Sequence, residues 1–125
     1  EVKPWRQILH YRAKLALTAD GKYLAQTEPG CGCGIPSSED IFIYDTQTAS
    51  LIDTVSTVGV YQYLLRLDAL EITNDGKYLF VAPGGDGAGS GPLLVIDFQE
   101  RKVVKRIQVG AENLTTPIAL LIVPK

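Results

Sequence analysis

Two cysteines lie close together in the sequence Cys31-Gly32-Cys33-Gly34, and they are the only cysteines in the chain. Such a pair has three chemical fates: a disulfide, two ligands of a metal ion, or free thiols. Structural zinc sites separate their cysteines by two or more residues and need two further ligands, whereas His10 is the only histidine. A redox pair also prefers two intervening residues. The spacing therefore favours a strained, reducible disulfide between Cys31 and Cys33, or an unreactive pair in a loop, and no metal site.

A second candidate for chemistry is the glycine-rich stretch 84–91, Gly-Gly-Asp-Gly-Ala-Gly-Ser-Gly. The Walker phosphate loop requires a following Lys-Ser/Thr pair and a helix, and neither is indicated here. The dinucleotide fingerprint fails as well, because Ser90 takes the place of the third glycine. We therefore predict a loop between strands. If this loop binds a ligand, the anchor is Asp86 with its neighbours Gly85 and Gly87, since loops on a rigid scaffold often carry function.

No arrangement of serine, histidine and aspartate indicates a hydrolase. His10 lies near one end of the chain and would have to act with Ser37, Ser38 or Ser90. None of these serines lies in a nucleophile elbow. We therefore predict no catalytic residue and no cofactor within this chain.

Length and charge exclude several classes of partner. The chain has 125 residues, 46% of them hydrophobic, and a formal net charge of −2. These values are typical of one globular domain with a sizeable core. The charge does not favour binding to nucleic acid or to a membrane surface, and the short basic stretch 101–106 is typical of a solvated outer strand. The longest clean apolar run, residues 118–123, is far shorter than the ~20 residues of a membrane helix, so we predict no membrane insertion.

One stretch of sequence occurs twice, as Leu-Thr-Ala-Asp-Gly-Lys-Tyr-Leu at 17–24 and as Ile-Thr-Asn-Asp-Gly-Lys-Tyr-Leu at 72–79. Asp-Gly between apolar runs favours a hairpin, and glycine accepts a positive φ there without a Cβ penalty. After each copy come a loop, an apolar strand ending in Asp45 or Asp97, and one further strand. Because these aspartates recur at equivalent positions, they indicate turn chemistry and not catalysis.

The pattern of apolar residues predicts two groups of four strands. The first group covers 14–18, 22–27, 41–44 and 51–58, and the second covers 70–73, 77–82, 93–96 and 102–109. Further strands are predicted within 7–11, 60–68 and 118–123. No segment shows an apolar stripe with a period of 3.6 residues, so no helix longer than a turn or two is expected.

This repeat resembles the YVTN-type β-propeller repeat, which overlaps with the quinoprotein amine-dehydrogenase β-chain-like superfamily. The matching positions are 20–24 and 75–79 at the first hairpin, 44–45 and 96–97 at the third strand, and 58–59 and 109–110 at the close. The usual following proline is present as Pro117 and missing after Gly59. The resemblance covers most of residues 13–123. It implies propeller blades and favours a periplasmic or extracellular location.

We therefore expect an all-β chain with two four-stranded antiparallel blades, in residues 13–59 and 69–110, and with residues 117–123 starting a third unit or closing the sheet. A propeller needs about 4–8 blades to close. The missing blades would come from the same larger protein or from identical chains, and an open pair of sheets is the third alternative. The chain begins with Glu1 and contains no methionine, which favours a processed chain or a piece of a longer protein.

The resemblance leaves two functions open, because propellers carry many unrelated chemistries. The first is a non-catalytic module that acts as a rigid scaffold for a protein or ligand. The second is the propeller part of a redox enzyme of the amine-dehydrogenase type, with its cofactor on another chain. Trp5 is the only tryptophan, so a cofactor made from two tryptophans cannot form within this chain. We favour the first function.

Overall fold

The computed structural model describes residues 14–27, 40–57, 66–84 and 92–108. These residues form eight strands: β1 (Leu15–Leu17), β2 (Tyr23–Thr27), β3 (Asp40–Asp45), β4 (Ser50–Ser56), β5 (Arg66–Ile72), β6 (Tyr78–Gly84), β7 (Leu93–Asp97) and β8 (Lys102–Ile107). Within the same ranges no helix is long and apolar enough to cross a membrane.

The strands form two four-stranded antiparallel sheets, in the order β1-β2-β3-β4 and β5-β6-β7-β8. The two sheets match in detail. Ile43 lies opposite Asp53 in the first sheet, Val95 lies opposite Lys105 in the second, and the register shifts directly after each of these pairs. The predicted fold class is therefore confirmed. The bulges also define which residues of the two sheets are structurally equivalent.

The largest difference from the predicted strands is at β5, which runs continuously from Arg66 to Ile72, whereas the sequence predicted a linking strand within 60–68 and a separate strand from Leu70. Its early residues pair with the end of β6, where Arg66 lies opposite Gly84 and Leu67 opposite Pro83. Proline and glycine disfavour strands, so the local pattern ended β6 too soon. Pairing with β5 overrides that preference. The strands predicted within 7–11 and 118–123, and residues 60–65 of the predicted linking strand, lie outside the described residues.

The core lies between the two sheets. Directly opposite residues on antiparallel strands point to the same side, and the side of each sheet that faces the other sheet is apolar. The first sheet contributes Ala16, Ala25, Ile41, Ile43 and Val55, and the second contributes Leu70, Ile72, Leu79, Val81, Leu94, Ile96 and the turn residue Phe98. Burying one such large side chain contributes about 1.5–3 kcal/mol. Contact between the sheets is therefore a main source of stability.

Equivalent positions on β1 and β5 show what the contact between the sheets changes. Leu15 and Leu17, on the outer side of the first sheet, are 51% and 57% exposed. Their equivalents Leu70 and Ile72 face the first sheet and are each only 6% exposed. The same apolar position is thus buried where a neighbouring sheet covers it and exposed where the described residues supply no such sheet.

Candidate functional site

The first hairpin turn is held by a network of its own side chains. Thr18 Oγ1 donates a hydrogen bond to Asp20 Oδ1 (2.7 Å), and the Lys22 amide donates to the same carboxylate oxygen (3.0 Å). The Tyr23 amide donates to Thr18 Oγ1 (3.0 Å). Gly21 closes the turn by donating to the Thr18 carbonyl (2.8 Å), with φ at 72°. This is the left-handed conformation for which glycine was expected.

The second copy of the hairpin has the same geometry. Thr73 Oγ1 donates to Asp75 Oδ1 (2.6 Å), and the Lys77 amide donates to that oxygen (3.0 Å). Gly76 has φ at 70° and donates to the Thr73 carbonyl (2.8 Å). The interpretation of the repeated stretch as a hairpin is therefore confirmed.

A second kind of turn connects β3 to β4 and β7 to β8, and an aspartate caps each one. Asp45 Oδ1 accepts hydrogen bonds from the amides of Gln47 and Thr48, both at 2.9 Å. Asp97 Oδ1 accepts from the equivalent amides, those of residues 99 and 100, at 3.0 and 2.8 Å. Asp bonds of this kind satisfy backbone donors that a turn leaves unpaired.

Three of these aspartates have lowered pKa values because the folded turns stabilise the carboxylate form. For Asp20 and Asp75 the hydrogen bond from the threonine hydroxyl lowers the pKa most, followed by the backbone amide. For Asp45 the Thr48 amide has the largest lowering effect on the pKa. All three side chains are therefore anionic at neutral pH.

Turns from both sheets enclose a cleft of about 670 Å³. The first hairpin and the start of β2 form one side of the cleft, the second hairpin forms another, and the β7–β8 turn forms the third. The cleft is lined by Thr18, Ala19, Asp20, Tyr23, Asn74, Asp75, Gly76, Phe98, Gln99 and Arg101. Two aspartates and two aromatic residues thus line one cleft.

Arg101 ties the β7–β8 turn to the first sheet. Its guanidinium donates to the Phe98 carbonyl of its own turn and lies over the Phe98 ring at 4.2 Å from the centroid. Its Nε is 3.4 Å from Asp53 Oδ2 on β4, and its guanidinium carbon is 6.0 Å from the centroid of the Tyr23 ring. Tyr23 and Phe98 themselves pack at 6.1 Å between ring centroids. One side chain that lines the cleft thus joins elements of both sheets.

The charges in the cleft favour a ligand that donates hydrogen bonds. The positive charge of Arg101 is engaged by Asp53, whereas Asp20 and Asp75 are exposed carboxylates. The ammonium groups of the two hairpin lysines lie 3.8 and 3.9 Å from these carboxylates on exposed surface, where such pairs are weak. Carboxylate oxygens accept hydrogen bonds from amide, ammonium and guanidinium groups. The cleft therefore suits a side chain with such a donor and an apolar stem.

The site residues predicted from the sequence are not those that line the cleft. Asp86, Gly85 and Gly87, and the pair Cys31 and Cys33, lie outside the described residues and remain predictions. In the part of the chain that the structure describes, no group of three or more His, Cys, Asp or Glu residues has the arrangement of a metal site.

Sequence reasoning missed the role of Arg101. The basic pattern around it predicts only a solvated stretch, although its equivalent in the first unit is Ala49. A change from alanine to arginine between matched turns was the available signal. It did not reveal that the arginine reaches the first sheet, because that contact depends on how two distant segments pack.

Comparison with solved structures identifies the fold. The chain is similar to hydrazine synthase of Kuenenia stuttgartiensis, with a TM-score of 0.60 and 20% identity over 84% of this chain and 24% of that one. It is also similar to the WD40 repeats of RRP9, with a TM-score of 0.57 and 12% identity over 82% of this chain and 28% of that one. A third similar structure is the β-propeller domain of Cps50 (Swd1) from Myceliophteria thermophila, with a TM-score of 0.53 and 16% identity over 78% and 26% of the two chains.

The chain has the fold of β-propeller blades. It spans about a quarter of the length of each of these propeller proteins, so its two sheets correspond to part of a propeller. The identities are too low to show more than the fold. No family model matches the chain, and no curated protein matches it.

Proposed function

We propose that the chain is a non-catalytic β-propeller module that binds a protein partner at the cleft between its hairpin turns. The observation that carries this proposal is the construction of the cleft. Its walls are turns held by their own hydrogen bonds, and Arg101 joins one of these turns to Asp53 of the first sheet. A wall that is already ordered loses little entropy when a partner binds. Rigid turns on a sheet scaffold are a common place for recognition.

The partner we propose presents a lysine, arginine or amide side chain to Asp20 and Asp75. The stem of that side chain would lie against Tyr23, and its polar head would reach the two carboxylates. Both carboxylates have lowered pKa values and are charged at neutral pH, and an approaching cation favours the charged form further. A small molecule with the same donor chemistry would compete for the same surface.

Two matched glutamines offer a direct test of this proposal. Gln99 lines the cleft, whereas its equivalent Gln47 is exposed in the β3–β4 turn and does not line it. A photo-crosslinking amino acid is placed at each position in turn, in the natural host of the protein. We expect a specific crosslinked protein from position 99 and none from position 47.

A substitution pair completes the test. Gln99→Arg places a second cation in the cleft and should abolish the crosslink to the partner, which is read out from a crosslinker at Asn74. Gln47→Arg is the control and should leave it unchanged. Equal crosslinking from positions 47 and 99, or equal effects of the two arginines, would contradict the proposal.

The assignment to the YVTN-type repeat belongs to the same proposal. It is supported by the matched geometry of the positions that carry the resemblance, Asp20 with Asp75 and Asp45 with Asp97. We also propose that further blades complete the propeller, since the chain spans about a quarter of the similar propeller proteins.

A second candidate is the propeller part of a redox enzyme whose cofactor lies on another chain. It is favoured by the similarity to hydrazine synthase, which is named as an enzyme. An absorption spectrum of the protein purified with its natural partners separates the two functions. A quinone or haem band would support the enzyme part, and a colourless complex that is inert to amines would support the binding module.

A further inference from the structure

Two positions of the first sheet contact the second sheet, and both have equivalents on the outer face of the second sheet. In each sheet the residue before the bulge lies opposite a charged residue of the outer strand, Asp53 in the first sheet and Lys105 in the second. Tyr23 and Tyr78 are equivalent as well, since each pairs with the aspartate that ends the third strand. These two positions mark where a following sheet docks.

In the first sheet both positions, Tyr23 and Asp53, are contacted by the second sheet. The β7–β8 turn of the second sheet places Phe98 on Tyr23 and Arg101 on Asp53. Phe98 is 4% exposed and belongs to the core. The docking turn therefore makes one aromatic contact and one ion pair with the sheet that precedes it.

In the second sheet the same two positions are exposed, on a side of the sheet where Ala82 and Val95 are buried. Tyr78 is 40% exposed, and Lys105 is also exposed. The charge at the outer-strand position is reversed, because Lys105 is the equivalent of Asp53. A following turn with arginine at its equivalent of position 101 would bring two cations together, which is unfavourable. An acidic residue at that position would form the pair instead.

A second copy of this chain cannot make these contacts. Its leading turn would present Thr46 and Ala49, the equivalents of Phe98 and Arg101. Thr46 donates its hydroxyl hydrogen bonds to the carbonyls of residues 21 and 22 within its own sheet. Ala49 has only a methyl group. Neither an aromatic contact with Tyr78 nor an ion pair with the lysine at position 105 would form.

We propose that the outer face of the second sheet, marked by Tyr78 and Lys105, receives a propeller blade of different sequence and not a second copy of this chain. The turn of that blade carries an aromatic residue over Tyr78 and an acidic residue beside Lys105. This inference deepens the proposal that the chain is a module of a larger propeller, and it selects a distinct blade over identical chains.

Rebuilding the leading turn of this chain tests the rule. The acidic variant carries Thr46→Phe with Ala49→Glu, and its matched control, the basic variant, carries Thr46→Phe with Ala49→Arg. Light scattering reports the mass in solution over a series of protein concentrations. We expect the wild type and the basic variant to stay at the 13.6 kDa of one chain, and the acidic variant to reach at least about twice that mass by head-to-tail association.

Reversing the charge at the receiving face supplies the decisive comparison. Lys105→Asp should abolish association of the acidic variant and restore it in the basic variant. Added salt should weaken both assemblies, because the selecting contact is an exposed ion pair. The far-ultraviolet circular dichroism of every variant is compared with that of the wild type. The equivalent turn around Phe98 already shows that this backbone accepts an aromatic residue and a long charged side chain.

Three results would overturn the inference. They are self-association of the wild type that Ala49→Arg disrupts, equal association of the acidic and basic variants, and no association of an acidic variant that is folded. None of them bears on the crosslinks from position 99, so the failure of this inference can be told apart from failure of the proposed binding function.

Discussion

The turn from Asp45 to Ala49 and the turn from Asp97 to Arg101 have the same backbone conformation, but their last side chains differ in length and in the contacts they make. Both begin with an aspartate cap, and both place a residue other than glycine in the left-handed region, Ala49 with φ at 51° and Arg101 with φ at 57°. In the first turn the side chain of that residue is a methyl group. In the second it is an arginine side chain that contacts two aromatic rings and an aspartate of the neighbouring sheet.

This difference separates what a turn needs from what a contact between sheets needs. The aspartate cap and its hydrogen bonds make the turn in both units, so the last position of the turn is free to vary. The left-handed backbone costs roughly 1 kcal/mol for a residue with a Cβ. The second unit offsets that cost with contacts to the first sheet, whereas the described residues show no such contacts at Ala49.

The substitution with the largest expected effect on stability removes the aromatic ring of Phe98, which follows the Asp97 cap. Phe98→Ala should lower the free energy of unfolding by about 3 kcal/mol, because it empties a site in the core between the sheets. Thr46→Ala, at the equivalent position, should cost only about 1 kcal/mol from lost hydrogen bonds. Urea unfolding of both variants measures the difference. Equal losses would show that position 98 acts within its own turn only.

Glycine at the left-handed position should act in opposite directions in the two turns. Ala49→Gly relieves the Cβ penalty and should raise the free energy of unfolding by about 0.5–1 kcal/mol. Arg101→Gly gains the same relief and loses the cation–π contacts and the ion pair, for a net loss of about 1 kcal/mol. Thermal unfolding of the two variants side by side gives the sign. Stabilisation in both turns would mean that the arginine contributes little across the sheets.

The ion pair across the sheets should be a minor part of the Arg101 contribution. The side chains of Arg101 and Asp53 are 20% and 45% exposed, so solvent screens the pair. A double-mutant cycle with Arg101→Ala and Asp53→Ala should give a coupling of about 0.5 kcal/mol that falls with added salt. The exposed pair between Glu100 of the same turn and Lys102 at the start of β8 is the control, with a coupling close to zero. A coupling at Arg101 that does not respond to salt would contradict this assignment.

Acid should weaken the hairpins and the first capped turn together. Folding lowers the pKa of Asp20, Asp45 and Asp75 below the ordinary 3.8. Their stabilising contribution is therefore complete above pH 3.8 and is lost as the pH falls through the lower folded values. Asp75→Asn keeps the acceptor oxygen and removes the titration, so its stability should depend less on pH in this range. Urea unfolding from pH 6 to pH 2 measures the two slopes, and identical slopes would exclude a contribution from Asp75.

Much of the scaffold could be predicted because its signals are local. The hairpins at Asp20 and Asp75 follow from Asp-Gly between apolar runs, and the number and order of strands follow from the repeat. The continuity of β5 was missed, because residues 66 and 67 join the same strand as Leu70 only through pairing with Gly84 and Pro83. The candidate cleft was not predicted, since its three walls are far apart in the chain.

The amino-acid sequence by itself determined the two units and their turns, because backbone conformation and side-chain alternation depend on near neighbours. Only the tertiary structure decided which of the apolar residues are covered. Leu70 and Ile72 are buried and Leu15 and Leu17 are exposed, although the repeat places the two pairs at equivalent positions. The physical reason is that these equivalent residues are buried only where a second sheet packs against them. The contact between Arg101 and Asp53 of β4 likewise forms only because the two sheets pack together.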